Sequence, residues 1–215
     1  MKYYPVFLDL RERSCVVVGG GQVAERKALT LFDAGADLSV ISPSLTPALQ
    51  ELAAKGKIIH HNRLYREDDL RGAFLAVAAT NDPAVNTSVA RACRERNILV
   101  NVAAPSEEST FIVPSVIDRG DLVFAVSTGG SSPALARKIR EELEALYGPE
   151  YERYLEKLAL LRGRLRSEVG DELLRRKIYE AVVDSDVLYL LKAGKVHDAD
   201  QRIQEIVASV SASPR

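Results

Sequence analysis

The 215 residues are 47% hydrophobic, enough to bury a real core and to fill one large or a few small domains. Lysines and arginines number 29 against 30 aspartates and glutamates, so the chain as a whole has no electrostatic drive towards nucleic acid or a membrane surface. The two cysteines and three histidines show no metal-type spacing, and neither a signal-peptide pattern nor an apolar run of about 18 residues is present. The expectation is a globular, cytoplasmic protein with two buried reduced thiols and no metal site of its own.

Residues 6–10 read as a short strand or lead-in, followed by the charged turn Arg11-Glu12-Arg13. Val16, Val17 and Val18 then run into Gly19-Gly20-Gly21-Gln22-Val23-Ala24, which fits G-x-G-x-x-A between an apolar strand and an amphipathic helix. In that setting Gly19 allows a tight turn, Gly21 lets a pyrophosphate approach the backbone, and Ala24 is small enough for close packing of helix on strand. The phosphates would sit on the free N–H groups of the helix start, at Gln22 and Val23. The helix predicted over 23–33 ends at Gly35, placed as a left-handed C-cap, and a second strand covers 38–41.

NAD enzymes of this type carry an acid about 20 residues after the glycines to hold the ribose, whereas here the strand ends in Ser42-Pro43-Ser44. Either the two serines and the loop backbone hydrogen-bond an adenosine ribose, or the segment is a polar turn into a helix with Thr46 as N-cap and Pro47 at its first position. No arginine stands there for a 2′-phosphate, which favours NAD over NADP. Further strands are predicted at 57–61, at 74–79 and at Leu99–Val102. The second of these is apolar almost throughout, as a parallel strand covered on both faces should be. It ends in Thr80-Asn81-Asp82-Pro83, where Asp82 caps the next helix and Thr80 and Asn81 project towards the crevice in which open α/β sheets bind ligands. His60 and His61 are adjacent, so on a strand they face opposite ways.

Beyond Ala104 the pattern changes. Residues 106–110 form a polar loop, 111–114 a short strand, and Asp118-Arg119-Gly120-Asp121 a turn into a strand at Leu122–Val126. That strand leads to Ser127-Thr128-Gly129-Gly130-Ser131-Ser132-Pro133, a second glycine-serine loop at a helix start, with Ser132 as N-cap. It reads as an anion site for carboxylates or phosphates, or as a flexible capped turn. The helix over 134–147 stops at Gly148-Pro149. Tyr151, Tyr154, Leu155, Leu158, Leu161 and Leu165 then give one apolar helical face. Arg162, Arg164, Arg166, Arg175, Arg176 and Lys177 concentrate positive charge as a solvated face or as a rim for a polyanion. Helical segments near 186–192 and 198–210 precede a frayed end.

GGGQVAERKALTLFDAGA, AATNDPAVN and NILVNVAAPSEESTFIVPSVIDRGDLVFAVSTGGSSPALARKIREELE together resemble the siroheme synthase family, which includes stand-alone precorrin-2 dehydrogenases. The resemblance implies an α/β fold with an N-terminal Rossmann-type parallel sheet that binds NAD (residues 1–113), a central β-rich dimerisation domain (114–148) and a C-terminal helical domain (149–215). It further implies a homodimer that oxidises the tetrapyrrole precorrin-2 to sirohydrochlorin with NAD, in some members followed by insertion of ferrous iron. On this reading NAD lies at Gly19, Gly21, Gln22, Val23, Ser42, Pro43, Ser44, Thr80 and Asn81, and the tetrapyrrole carboxylates at Ser127, Thr128, Gly129, Gly130, Ser131 and Ser132. The family places an aspartate, thought to accept protons in both activities, two residues beyond the Asn101-Val102 pair. Here that position is Ala104, leaving solvent, Glu107 or Glu108 as acceptors. A non-catalytic NAD-sensing or tetrapyrrole-carrying protein is the alternative.

Overall fold

The computed structural model describes residues 2–104 and 106–212. The chain divides into two compact units, Met1–Val113 and Pro114–Arg215. In the first, strands β1 (Ser14–Val18), β2 (Asp37–Ile41), β3 (Ile59–His61), β4 (Leu75–Ala78) and β5 (Leu99–Val102) form one sheet in the order β3-β2-β1-β4-β5. Every pairing is parallel, with Val18 opposite both Ile41 and Ala78. Helices α1 (Gln22–Asp33), α2 (Pro47–Ala54) and α3 (Pro83–Glu95) make the crossovers.

The period of two along the strands sorts their side chains into two cores. Cys15, Val17, Leu75 and Val77 face Ala24, Ala28 and Leu31 of α1. Val16, Val18, Ala76 and Ala78 face Val89, Ala90 and Cys93 of α3. Coverage on both sides is why β1 and β4 lack the polar alternation of a half-exposed strand. Gly35 takes φ +82°, and the amides of Gly35 and Ala36 close the end of α1 on the Phe32 and Leu31 carbonyls.

The strands expected at 57–61 and 74–79 are shorter, at Ile59–His61 and Leu75–Ala78, and residues 6–10 are a lead-in without strand pairing. The strand expected at 111–114 is not formed. Ser109 and Thr110 instead satisfy the outer edge of β5: the Val100 and Val102 amides donate to Thr110 Oγ1 (2.8 Å) and Ser109 Oγ (2.9 Å), and Thr110 N donates to Val100 O at 2.8 Å. Phe111 then packs on the α1 core while Asn101 Nδ2 donates to its carbonyl, so this stretch belongs to the first unit.

The second unit opens with a hairpin of β6 (Ser115–Arg119) and β7 (Leu122–Val126), joined at Gly120-Asp121. Gly120 is at φ +68°, and Asp118 Oδ1 accepts its amide at 2.9 Å. Helix α4 (Pro133–Leu146) packs on the hairpin. The helix stops just before Gly148-Pro149, closing at Tyr147, whose amide donates to Leu143 O and whose ring sits 4.7 Å from Phe124 and 5.1 Å from Tyr151; Gly148 is not left-handed. Helices α5 (Glu150–Glu168), α6 (Glu172–Val183), α7 (Val187–Lys192) and α8 (Val196–Ala212) enclose a third core of Tyr154, Leu158, Leu161, Leu165, Ile178, Val182 and Ile203, among others. The frayed end expected at 211–215 is helical as far as Ala212, and its last three residues lie outside the described ones. No helix among the described residues is long and apolar enough to cross a membrane.

Cys15 and Cys93 are free and wholly buried, on opposite faces of the sheet, and burial raises each thiol from 9.0 to about 11. Between those values the unfolded chain has lost the thiol protons and the folded chain keeps them, so stability is present below pH 9 and lost as pH rises towards 11. Urea unfolding should show a decline of roughly 1–3 kcal/mol per thiol over that window. The decline should shrink in a Cys15→Ala/Cys93→Ala variant measured alongside.

Candidate functional site

The carboxyl ends of β1, β2 and β4, together with the segment after β3, open onto a cleft of about 670 Å3. It lies where the strand order reverses about β1, the switch point at which open α/β sheets hold ligands. The glycine turn forms its base, and its three glycines have different surroundings. Gly19 sits at φ +122°, where a Cβ would meet Ala79 O at 2.3 Å. A Cβ on Gly20 would strike Ser44 O at 1.9 Å, because the loop after β2 lies over it and Thr46 N donates to Gly20 O at 3.0 Å. Gly21 has an ordinary φ of −82° and nothing within 4 Å of a Cβ. Its smallness is therefore not demanded by the protein and leaves room for a ligand at the backbone.

Gly21 is also the N-cap of α1, and no side chain caps that helix. The starts of α3 and α4 differ: Asp82 accepts the Ala84 and Val85 amides, and Ser132 accepts the Leu135 amide. Thr46, the N-cap of α2 at the same cleft, also makes no side-chain cap bond; the uncapped N–H groups at Gln22 and Val23 lie beside the glycine turn and make the start of α1 suited to an anion. Gln22 and Val23 themselves lie just past the cleft lining, with Val23 exposed, while Gly19, Gly21, Ser42, Pro43, Ser44, Thr80 and Asn81 line it together.

Within the loop after β2 the two serines differ. Ser42 is buried, and its hydroxyl donates to Ser44 O at 2.7 Å, holding the turn; Pro43 and Ser44 are exposed to the cleft. His60 Nε2 lies 2.9 Å from Ser42 O and pins the same loop from β3. Arg63 and Tyr65 also line the cleft and were not apparent in the sequence, since they follow a three-residue strand with no motif attached. Arg63 meets Asp69 through both guanidinium nitrogens, and that guanidinium holds the Asp69 carboxyl below the usual range. The Tyr65 hydroxyl is buried without a partner, and burial pushes it up to about 12.

A buried asparagine, Asn86 on α3, ties the cleft wall to the end of β5. Its Oδ1 accepts from Thr80 N (3.1 Å) and faces Thr80 Oγ1 (2.9 Å). Its Nδ2 donates to Thr80 O (3.2 Å) and Ala104 O (2.9 Å). No local pattern in the sequence marks the residue, because its partners lie 6 and 18 residues away.

Comparison with known proteins bears on the whole of this geometry. A family model described as NAD(P)-binding matches residues 6–115, and one described as sirohaem biosynthesis protein, central, matches residues 119–146. The solved structure of SirC, a precorrin-2 dehydrogenase, superposes with a TM-score of 0.78 at 31% identity, covering 94% of this chain and all of that one. The chain belongs to the siroheme synthase and precorrin-2 dehydrogenase family. Siroheme synthases of Photobacterium profundum and Nitrosomonas eutropha are 41% and 39% identical over 98% and 100% of this chain. The chain spans 45% of the length of each.

At the position of the family aspartate, the exposed Ala104 offers a methyl group and a carbonyl already bonded to Asn86. Glu107 is exposed. Glu108 turns back onto α3, accepting from Thr87 Oγ1 at 3.0 Å, with its second oxygen buried and unpartnered. The glycine-serine loop of the second unit is held by its own hydroxyls. Ser127 Oγ accepts from Gly129 N, and Thr128 Oγ1 is bonded to the Ser132 backbone. Gly129 and Gly130 are left-handed, and Ser131 is exposed. Among the described residues, no three His, Cys, Asp or Glu side chains are grouped to hold a metal ion.

Replacing Asn86 by Asp keeps the acceptor and removes the amide donor to Thr80 O and Ala104 O. The expected cost is about 1–3 kcal/mol, because the buried position 86 then faces the two carbonyls with no amide to donate. Thermal unfolding reads the loss, and amide exchange should accelerate at residues 103–104.

Proposed function

We propose that this chain is an NAD-dependent dehydrogenase that oxidises precorrin-2 to sirohydrochlorin in siroheme biosynthesis. The observation that carries the reading is the uncapped start of α1 at Gly21, opening on a cleft of dinucleotide size in a chain of this family. The oxidation removes two electrons and two protons from the tetrapyrrole: one hydride goes to the cofactor and one proton to a base. NAD, when bound, supplies the hydride acceptor. Backbone N–H groups at Gly21, Gln22 and Val23 would hold its pyrophosphate, and Ser44 with the Ser42–Pro43 backbone would hold the adenosine ribose. Thr80 and Asn81, in a turn braced by Asn86, would meet the rest of the dinucleotide. The loop at Ser127, Thr128, Gly129, Gly130, Ser131 and Ser132 takes substrate carboxylates through backbone amides and the exposed Ser131.

With alanine at 104, solvent or the exposed Glu107 takes the departing proton, and dehydrogenation then rests mainly on alignment of the two reactants. Ferrous iron is a second substrate on this reading, and a poor one, because its insertion must strip two pyrrole protons. The protein works in the cytoplasm as a homodimer. Supporting the dimer, a two-stranded hairpin is marginal alone, and this one, with α4, leaves Val116, Leu135 and Leu146 exposed. Residues 1–113 bind the cofactor, 114–148 dimerise and 149–215 form the helical domain.

Gly21→Asp puts a carboxylate where the pyrophosphate would bind, and its Cβ meets no protein atom within 4 Å. Calorimetry on the folded variant should show NAD affinity reduced more than about tenfold, and anaerobic incubation with precorrin-2 should yield no NADH. Unchanged affinity would place the cofactor elsewhere, and a native protein that makes no NADH above a protein-free control would not be this enzyme. General-base assistance is worth about 100- to 10,000-fold, so Ala104→Asp should raise iron insertion more than NADH formation, and Ala104→Asn should raise neither. Equal chelation by the native protein and Ala104→Asp would locate the base at another residue.

A further inference from the structure

The end of α5 and the start of α6 carry positive charge for which the dinucleotide cleft has no use. Arg162, Arg166, Arg175 and Arg176 line a hollow of about 450 Å3, with Leu165 and Tyr179 supplying apolar surface and Glu172 a carboxylate at its lining. Arg162 and Arg166 stand one turn apart on the same helix, a spacing at which like charges repel. Among the described residues neither has a hydrogen-bonded or ionic side-chain partner. The positions three and four residues from each hold leucine, alanine, glycine, valine or the other arginine. Their neighbour Arg164 does meet Glu168, and Arg176 meets Glu180, so the same two helices pair cations elsewhere and leave these two unmatched.

The rest of the hollow is held in place. Arg175 Nη1 donates to Val169 O (2.6 Å) and Gly170 O (3.1 Å), which fixes the guanidinium; among the described residues its Nε and Nη2 have no partner. Tyr179 is anchored by its hydroxyl, which donates to Leu158 O at 2.9 Å. Planar guanidinium forks match the two oxygens of a carboxylate or phosphate, and fixing them beforehand reduces the entropy lost on binding.

We propose that this hollow between α5 and α6 binds a small polyanion carrying two or more carboxylate or phosphate groups. Four arginines against Glu172 and the Glu180 that Arg176 already meets leave the hollow net positive, which sets the sign of the ligand's charge, and a concavity in the size range of small-molecule sites sets its bulk. An anion placed there offsets the repulsion between Arg162 and Arg166 and takes the free donors of Arg175. None of its residues lies in the first unit or in the Ser127–Ser132 loop.

Calorimetric titration of the NAD-saturated chain with citrate and, separately, with inorganic pyrophosphate tests the proposal and distinguishes carboxylate from phosphate chemistry. At least one of the two should bind saturably at a single site. The affinity should fall at least tenfold in Arg162→Gln/Arg166→Gln and weaken as salt is raised. Both substitutions are on exposed positions, and circular dichroism and NAD affinity should match the native chain. Absence of saturable binding by both anions, or equal binding by the double variant, would overturn the site and leave these arginines as a solvated face.

Discussion

The close approach of three backbone segments at Gly20 is the constraint on which the first unit depends. The β1 turn, the loop after β2 and the end of β4 meet there, with Ser44 O standing where a Gly20 side chain would be and Ala79 O where a Gly19 side chain would be. Thr46 N on Gly20 O and Gly19 N on Ile41 O lock the approach at 3.0 and 2.9 Å. These contacts place the uncapped amides of α1 at the base of the cleft. The glycine-rich motif is thus mainly a packing requirement, with Gly21 the one position left for a ligand.

The far side of the sheet is organised by polar side chains in place of a sixth strand. Ser109 and Thr110 accept the outward amides of β5, which blunts an edge that would otherwise be open to pairing. Asn86 uses both ends of its amide to join the β4 turn to the β5 loop. A buried amide so fully satisfied stabilises a single arrangement of the two loops, because breaking any one bond leaves a desolvated polar group. Asn86 together with the Asp82 backbone orients Thr80, and Asn86 holds the carbonyl of Ala104.

In the second unit the balance differs. The hairpin is small, and its polar turn is set by Asp118 and Gly120, while the four helices beyond it have a core large enough to hold them. Tyr154 and Tyr179 each send a hydroxyl across to a backbone carbonyl, on Val182 and Leu158, so that α5 and α6 are joined through polar as well as apolar contacts. This fixed pairing turns a run of arginines in sequence into a concave, converging group.

Much of the fold was legible along the chain. Unbroken apolarity at β1 and β4 announced a sheet covered on both faces, the glycine spacing announced the strand-turn-helix, and Asp82, Ser132 and Gly35 announced helix ends; these are local signals, carried by side-chain period or by φ alone. What the sequence left open was decided by partners distant along the chain. Ser42 and Ser44 look equivalent in order, and only the turn hydrogen bond separates a buried structural hydroxyl from an exposed one. Residues 111–114 have strand composition, yet β5 had already been satisfied by the two preceding residues. Arg63, Tyr65 and Asn86 reach the site through contacts that no periodicity encodes. Residue order therefore determined the elements and the nucleotide turn, while tertiary packing alone determined which polar groups were consumed in holding loops together and which were left free to meet a ligand.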